Sequence, residues 1–383
     1  VIGLKPSAAL LCAILVTGAE ACPFCDVVGR PLAARRDAAS VVVIAEPAGD
    51  PRDDGGAMLQ SFAVHSVLRG QGMAAGEVAT ARVTGRADGT ALLFGERDGA
   101  EGHSFEAVAA DEMLLAYVAG APAVEAAGPE RLRWFARYLE HADRLIAEDA
   151  FMEFGLAPYG DVVRAADALD GEKLRHWVDE PGIDERRRGF YGLALGIVAA
   201  RTRNAGDMIE ADACVEVLDR AIRKPANDFR SGYDGLLGGL LVAKGEAALH
   251  TMATLGLLDD DTRAGDARHA LAALRFAHEF LAETVPRGQV AAAVARLATN
   301  PAVAADAVID LARYGHWEST EAVADLWDTL GRDDPLVRRA VAGYLTACPL
   351  GPARGRAAAI AARDPAAWHA AVSAVGLPAR KAD

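Results

Sequence analysis

The hydrophobic pattern of the chain changes period once. In the first third, apolar residues come in short runs separated by glycine-rich polar turns. Val41-Val42-Val43-Ile44 is a β-branched run that stops at Pro47 and the turn-rich segment from Asp50 to Gly56. From Met58 to Leu68, Phe62, Val64 and Leu68 fall on one face and Ser61 and His65 on the other, close to the period of two that marks a strand. Val78 to Thr84, Ala91 to Phe94 and Met113 to Val118 are three further strand candidates. A short helix is expected between Cys25 and Ala39, interrupted early by Pro31.

Past Pro122 the period becomes that of a helix. Leu132, Phe135, Ala136, Leu139, Ala142 and Ile146 recur at helical spacing, with Arg133, Arg137 and Glu140 expected to face outward. Alanine-, leucine- and valine-rich segments then continue to the end, including Asp184 to Ala199 and Asp266 to Leu281. Three pairs punctuate the last part: Asn300-Pro301, Asp334-Pro335 and Asp364-Pro365. Each couples a side chain that can accept from a free helical amide with a proline that lacks one, the chemistry of a helix start. The stripes that follow are Val303, Val308 and Leu311, then Val337, Val341, Tyr344 and Leu345, then Trp368, Val372 and Val375. The spacing between successive pairs is that of a helical-hairpin repeat.

The segment Asp334-Pro335-Leu336-Val337-Arg338 resembles the second helix of HEAT-type repeats, where an Asp-Pro-x-Val-Arg start is common. The chain as a whole resembles secreted bacterial proteins of no assigned activity that begin Cys-Pro-Phe-Cys and continue into such helices. The resemblance implies a solenoid scaffold over roughly the last two-thirds of the chain and names no partner. The expected fold is therefore α+β: a small β-rich module, OB- or netrin-like, followed by an α-solenoid. The expected divisions are a signal peptide over 1–21, the β-rich module over 22–122 and the helical repeats over 123–383.

Export is expected from the first residues. Lys5 precedes an apolar run from Ala8 to Val16, and Ala19-Glu20-Ala21 offers small residues at both positions of an A-x-A cleavage site. Cleavage there makes Cys22 the first mature residue. A lipid anchor on Cys22 is the rival expectation, but Ala19 stands where such motifs usually carry Leu. The run is shorter than the ~20 residues that span a bilayer, and no other stretch is expected to cross one.

Composition narrows the functional classes. With 383 residues, 52% hydrophobic and 25% charged, the chain can bury more than one core. A formal charge of −14 argues against a nucleic-acid binder, which needs clustered cations. Arg186, Arg187 and Arg188 do cluster, but Asp179, Glu180, Asp184 and Glu185 precede them, so a solvated, ion-paired helix face is expected.

Cys22-Pro23-Phe24-Cys25 is the motif with reactive potential. Two thiols two residues apart can form a redox disulfide, bind metal or close a structural disulfide on export. A thioredoxin-type enzyme needs a strand before the motif, and cleavage leaves none. Cys22 and Cys25 can pair with each other, reach Cys214 or Cys348, or stay free; Cys12 leaves with the signal. A mature N-terminal Cys leading into a barrel also resembles the netrin-like domain of tissue inhibitors of metalloproteinases, whose first amine and carbonyl chelate the target's zinc. This chain departs from that pattern in having C-x-x-C, and it lacks the cysteines that anchor that wedge.

Other chemistry is not indicated. His278-Glu279 lacks the second His of H-E-x-x-H, and Asp259-Asp260-Asp261 lacks the Glu that closes a calcium loop, so it is expected to start a helix. His103 reads as a surface histidine in a loop. Gly235, Gly238 and Gly239 read as close helix packing, and Tyr314, His316 and Trp317 as core or inter-repeat packing. No nucleophile elbow, phosphate loop or dinucleotide fingerprint is present, and no cofactor is expected. The sequence reading is an exported, non-enzymatic scaffold for a protein or cell-envelope partner, with a thiol–disulfide or metal-handling protein acting through Cys22 and Cys25 as the alternative.

Overall fold

The computed structural model describes Phe24 and residues 29–98, 102–126, 128–225 and 230–374. Cys22 and Cys25 lie outside the described residues. After helix α1 (Leu32–Ala38) come strands β1 (Val41–Pro47), β2 (Arg52–Asp54), β3 (Ala57–Gly70), β4 (Val78–Arg82), β5 (Ala91–Asp98) and β6 (Gly102–Ala109). β1 lies antiparallel to β3 on one side and β5 on the other. β3 continues to β4 and β5 to β6, both antiparallel. A short parallel pairing, Ala81 with Phe105 and Arg82 with Glu106, closes the ring into a five-stranded barrel, with β2 added at the edge of β3. Register shifts in β1 at Val42/Val43 and Ile44/Ala45 give the extra twist that closure needs.

Strand alternation fills the barrel. Val41, Val43, Ala45, Phe62, Val64, Leu93 and Phe105 point inward and are buried. Gly95 is required there, since a Cβ would run into the Phe105 ring and Val41. The opposite faces of β1 and β5, Val42, Leu92 and Phe94, are covered by α1 and the next helix, which is why both strands read as unbroken apolar runs.

That next helix corrects the sequence reading. Met113 to Val118 is not a strand but part of α2 (Glu112–Gly120): Asp111 caps it by accepting from the Leu114 amide at 2.8 Å, and Leu114, Tyr117 and Val118 are buried on one face. The fifth barrel strand is β6 instead, where His103 sits paired with Arg97 and not in a loop. With only Phe105 fully buried along it, β6 offers almost no apolar alternation to read.

The remaining helices are α3 (Pro129–Phe135), α4 (Arg144–Leu156), α5 (Tyr159–Arg164), α6 (Gly171–Asp179), α7 (Glu185–Asn204), α8 (Met208–Arg223), α9 (Tyr233–Lys244), α10 (Ala247–Thr254), α11 (Ala264–Phe280), α12 (Arg287–Leu297), α13 (Ala304–Arg313), α14 (Thr320–Asp325), α15 (Pro335–Ala347), α16 (Gly351–Arg363) and α17 (Pro365–Ala374). Helices two apart in the chain lie side by side: α7 on α9, α9 on α11, α13 on α15, α15 on α17, and in a second layer α6 on α8 and α14 on α16. A continuous apolar core runs from Phe24 and the outer barrel face through these helices to Ala371.

Local chemistry explains where the sequence expectations held and where they shifted. Asp334 caps α15 by accepting from Leu336 at 2.8 Å, and Asp364 accepts from Ala367 at the start of α17. Asn300 does not cap a helix. It is buried, turns the chain by accepting from Ala302, donates to the carbonyls of Asp259 and Thr262, and leaves α13 to begin at Ala304. Asp259 likewise serves a partner, Arg296, and does not cap α11. The apolar stripe from Leu132 to Ile146 is broken into α3, a 3-10 turn and α4, with Glu140 at φ 52° in the break. The glycines pack helices as expected: a Cβ on Gly196, Gly235 or Gly239 would collide with the facing backbone of the α7–α9 crossing. No described helix is long and apolar enough to cross a membrane.

Candidate functional site

Phe24, the third residue of Cys-Pro-Phe-Cys, is the one member of that motif among the described residues. Its side chain is buried although it lies ahead of α1 and of the barrel. The ring meets Phe276 of α11 edge to face, with centroids 5.0 Å apart, and Tyr159 packs on the other side of Phe276 at 5.1 Å. Gly238 of α9 faces the same ring, and a Cβ there would lie 2.6 Å from Phe24 Cε2. Gly189 of α7 faces the Phe24 carbonyl oxygen. The socket is thus built by three helices, and two of its walls are glycines because a ring and a backbone come too close for a side chain.

The chain leaving this socket is clamped where it enters α1. Asp149 of α4 is buried and accepts from the Leu32 amide at 2.6 Å and from the Tyr117 hydroxyl at 2.7 Å. Burial pushes the Asp149 carboxyl above its ordinary value, against the opposing pull of those two donors. Burial likewise raises Glu153, one turn further on, which is held by both prongs of Arg131. Arg36 ties α1 to the end of α2 by donating to the carbonyls of Val118 at 2.7 Å and Ala121 at 2.8 Å. Burial would raise Asp37, but hydrogen bonds from Arg36 and the Val124 amide outweigh it and hold this carboxyl low.

A second polar cluster corrects the expected solvated face. Arg186 pairs with Asp184 and Arg188 with Glu185, as a surface would. Arg187 is buried, donating to Glu140 at 2.9 Å and Glu148 at 2.7 Å, while the Tyr191 hydroxyl donates to Glu140 at 2.6 Å. Glu140 therefore points inward, and its left-handed backbone is what turns it there.

The remaining candidates find structural partners. Cys214 and Cys348 are buried free thiols. Burial pushes the Cys214 thiol up to about 11, with Arg175 and Glu210 each 3.6 Å away. His278 stacks on Tyr314 with centroids 3.5 Å apart. Trp317 packs on Tyr344, whose hydroxyl donates to the His316 carbonyl at 2.6 Å. Among the described residues no group of three or more His, Cys, Asp or Glu side chains is placed to hold a metal ion. A cavity of about 280 Å³ lies beside α7, α8 and α9, lined in part by Arg188, Lys224, Arg230 and Tyr233. Arg230 lies 3.4 Å over the Tyr233 ring and is paired with Asp266 at 2.9 Å.

No protein-family model matches the chain. No curated protein and no solved structure matches it either.

Sequence reasoning singled out Cys22 and Cys25, which lie outside the described residues, and missed the socket around Phe24. A signal for Asp149 and Glu153 was present: both acids fall on the face of α4 that carries Ile146, Ala150 and Phe154, where an acid is expected only if it is paired. The socket left no signal, since only two glycines, a phenylalanine and their nearness in the fold define it.

Proposed function

We propose that this chain is an exported scaffold: a HEAT-like solenoid that offers an extended surface to a protein or cell-envelope partner, with the barrel, read as OB type, as a second contact surface. The observation that supports a solenoid is an offset that recurs among the paired residues. Arg133 meets Asp167, Arg175 meets Glu210, Arg230 meets Asp266, Arg275 meets Asp310 and Arg363 meets Asp328, each 34 to 36 residues further along or back. In a solenoid every unit touches only its neighbours, so the distance between partners in sequence equals the repeat length. The single parallel pairing between the third and fifth barrel strands supports the OB reading.

Immobilised protein beginning at Cys22, offered a solubilised cell-envelope fraction, should retain one partner in fixed ratio. Turnover of a thiol–disulfide substrate, abolished by Cys22→Ser, would replace this reading. Intact mass of the protein from its native envelope tests export: a chain starting at Cys22 supports it, and an added lipid mass makes the scaffold membrane-anchored.

The burial of Phe24 favours a second reading, a thiol–disulfide or metal-handling protein. A motif that served only to form a cross-link would not need its central ring held by three helices, α7, α9 and α11.

A further inference from the structure

We infer that the cavity beside α7, α8 and α9 is a binding site for a small organic anion, a single carboxylate on a compact apolar body. The inference goes beyond the scaffold reading and does not depend on it: a chain that retains no protein partner can still hold the anion.

The cavity lies where four helix ends meet. α6 and α8 finish there, at Asp179 and Arg223, and α7 and α9 begin there, at Glu185 and Tyr233. Its volume of about 280 Å³ is at the lower end of what small-molecule sites occupy, which sets the size of the occupant. One wall is apolar, made by Ala221, Leu236 and the Tyr233 ring. On the other wall several polar groups are already engaged. Arg230 meets Asp266 through Nε at 3.1 Å and Nη2 at 2.9 Å, its Nη1 donates to the carbonyls of Ile222 and Lys224, and its guanidinium covers one face of Tyr233. The Tyr233 hydroxyl donates to the Ile222 carbonyl at 3.1 Å. Asp179 is paired with Arg220.

What is left is cationic. The run Arg186-Arg187-Arg188 is split three ways by the turn of α7. Arg186 pairs with Asp184 at the surface, Arg187 is buried against Glu140 and Glu148, and Arg188 lines the cavity. The Arg188 side chain is only 22% exposed, and among the described residues its one ion pair is with Glu185 at 3.8 Å, too long for a hydrogen bond. A guanidinium withdrawn that far from water gains most from an acceptor set directly on its fork, and the cavity is where one fits. Lys224 and the Ser231 hydroxyl line the same space and supply further donors. Glu185 offsets one of the two cations, so one positive charge remains for the ligand. That balance selects a monoanion over phosphate, the flat fork of Arg188 suits a carboxylate, and the apolar wall calls for a hydrocarbon body.

The test is isothermal titration of the full chain with phenylacetate and hexanoate, with phenylacetamide as the neutral counterpart of the first, and with inorganic phosphate. At least one of the two acids should bind, one molecule per chain, with a Kd of about 1 mM or below. The amide and phosphate should bind at least about tenfold more weakly. Arg188→Gln and Lys224→Gln should each weaken the acid by about tenfold. Ala221→Leu keeps every charge and fills the cavity, and should abolish binding. Arg201→Gln removes a cation at the far end of α7 and should change nothing. Circular dichroism melts of the same samples separate loss of the site from loss of the fold, and Arg188→Gln and Lys224→Gln carry the test if Ala221→Leu does not fold. No binding of either acid to folded wild type, amide or phosphate bound as tightly as the acid, or equal affinity in wild type, Arg188→Gln and Lys224→Gln would overturn the inference.

Discussion

At Asp149 two donors from different parts of the chain converge on one buried carboxylate, so its removal strands both. Asp149→Asn keeps a single accepting oxygen and turns an amide towards the second donor, and should cost about 1–3 kcal/mol in a urea titration. Tyr117→Phe removes one donor and keeps the ring packing, and should cost less. The acids of this junction respond to pH with opposite signs. Asp37 is held below its ordinary 3.8, so the stability it adds is complete above about pH 4 and is lost as pH falls through its folded pKa. The gap in stability between wild type and Asp37→Asn should therefore narrow below pH 4. Asp149 and Glu153 are raised, so each costs stability above its folded pKa, and that cost is relieved as pH falls through it. Cys214, pushed up to about 11, stays a neutral thiol at pH 7 and should resist iodoacetamide in the native protein but react in denaturant.

Between elements, the closest approach is the α7–α9 crossing. Alanine is the better helix former by about 1 kcal/mol, yet Gly239→Ala puts a methyl group into the backbone of α7 and should destabilise by about 1–3 kcal/mol net. Gly355→Ala in α16 meets open space and should stabilise by up to about 1 kcal/mol. The pair separates propensity from packing within one melting experiment. The sequence shows the crossing as Gly235 and Gly239 in a leucine-rich stretch, because a residue without a side chain inside a helix needs a packing reason; Gly238 beside them faces Phe24 instead. It also shows four of the five barrel strands, through β-branched runs and glycine turns. It misplaces the fifth, because Met113 to Val118 is apolar enough for either state and only the Asp111 cap decides. It places the helix starts at Asp334 and Asp364 and misplaces Asn300, whose amide is drawn to carbonyls far back in the chain. Phe24 is legible as part of a motif and not as a buried ring, since no local pattern marks a contact with Phe276.

For the whole molecule, the apolar core that joins barrel and helices implies one cooperative unit. All five tryptophans, Trp134, Trp177, Trp317, Trp327 and Trp368, lie in the helical part, so their fluorescence follows the helices, while the infrared strand band follows the barrel. The two should lose structure at the same denaturant concentration. Two separated transitions would mean that the Val42, Leu92 and Phe94 face contributes little to holding the parts together.

The socket for Phe24 also imposes an order in time. A chain that emerges from a ribosome or a translocation pore starts at its N-terminus, and Phe24 comes out early. The ring that receives it, on Phe276, emerges only after most of the chain has followed. Until then the Phe24 ring has nothing to dock on, and the cysteines next to it in sequence are open to whatever oxidant or foldase stands at the exit. The oxidation state of Cys22 and Cys25 in the finished protein can thus record an encounter that ended before the fold was complete.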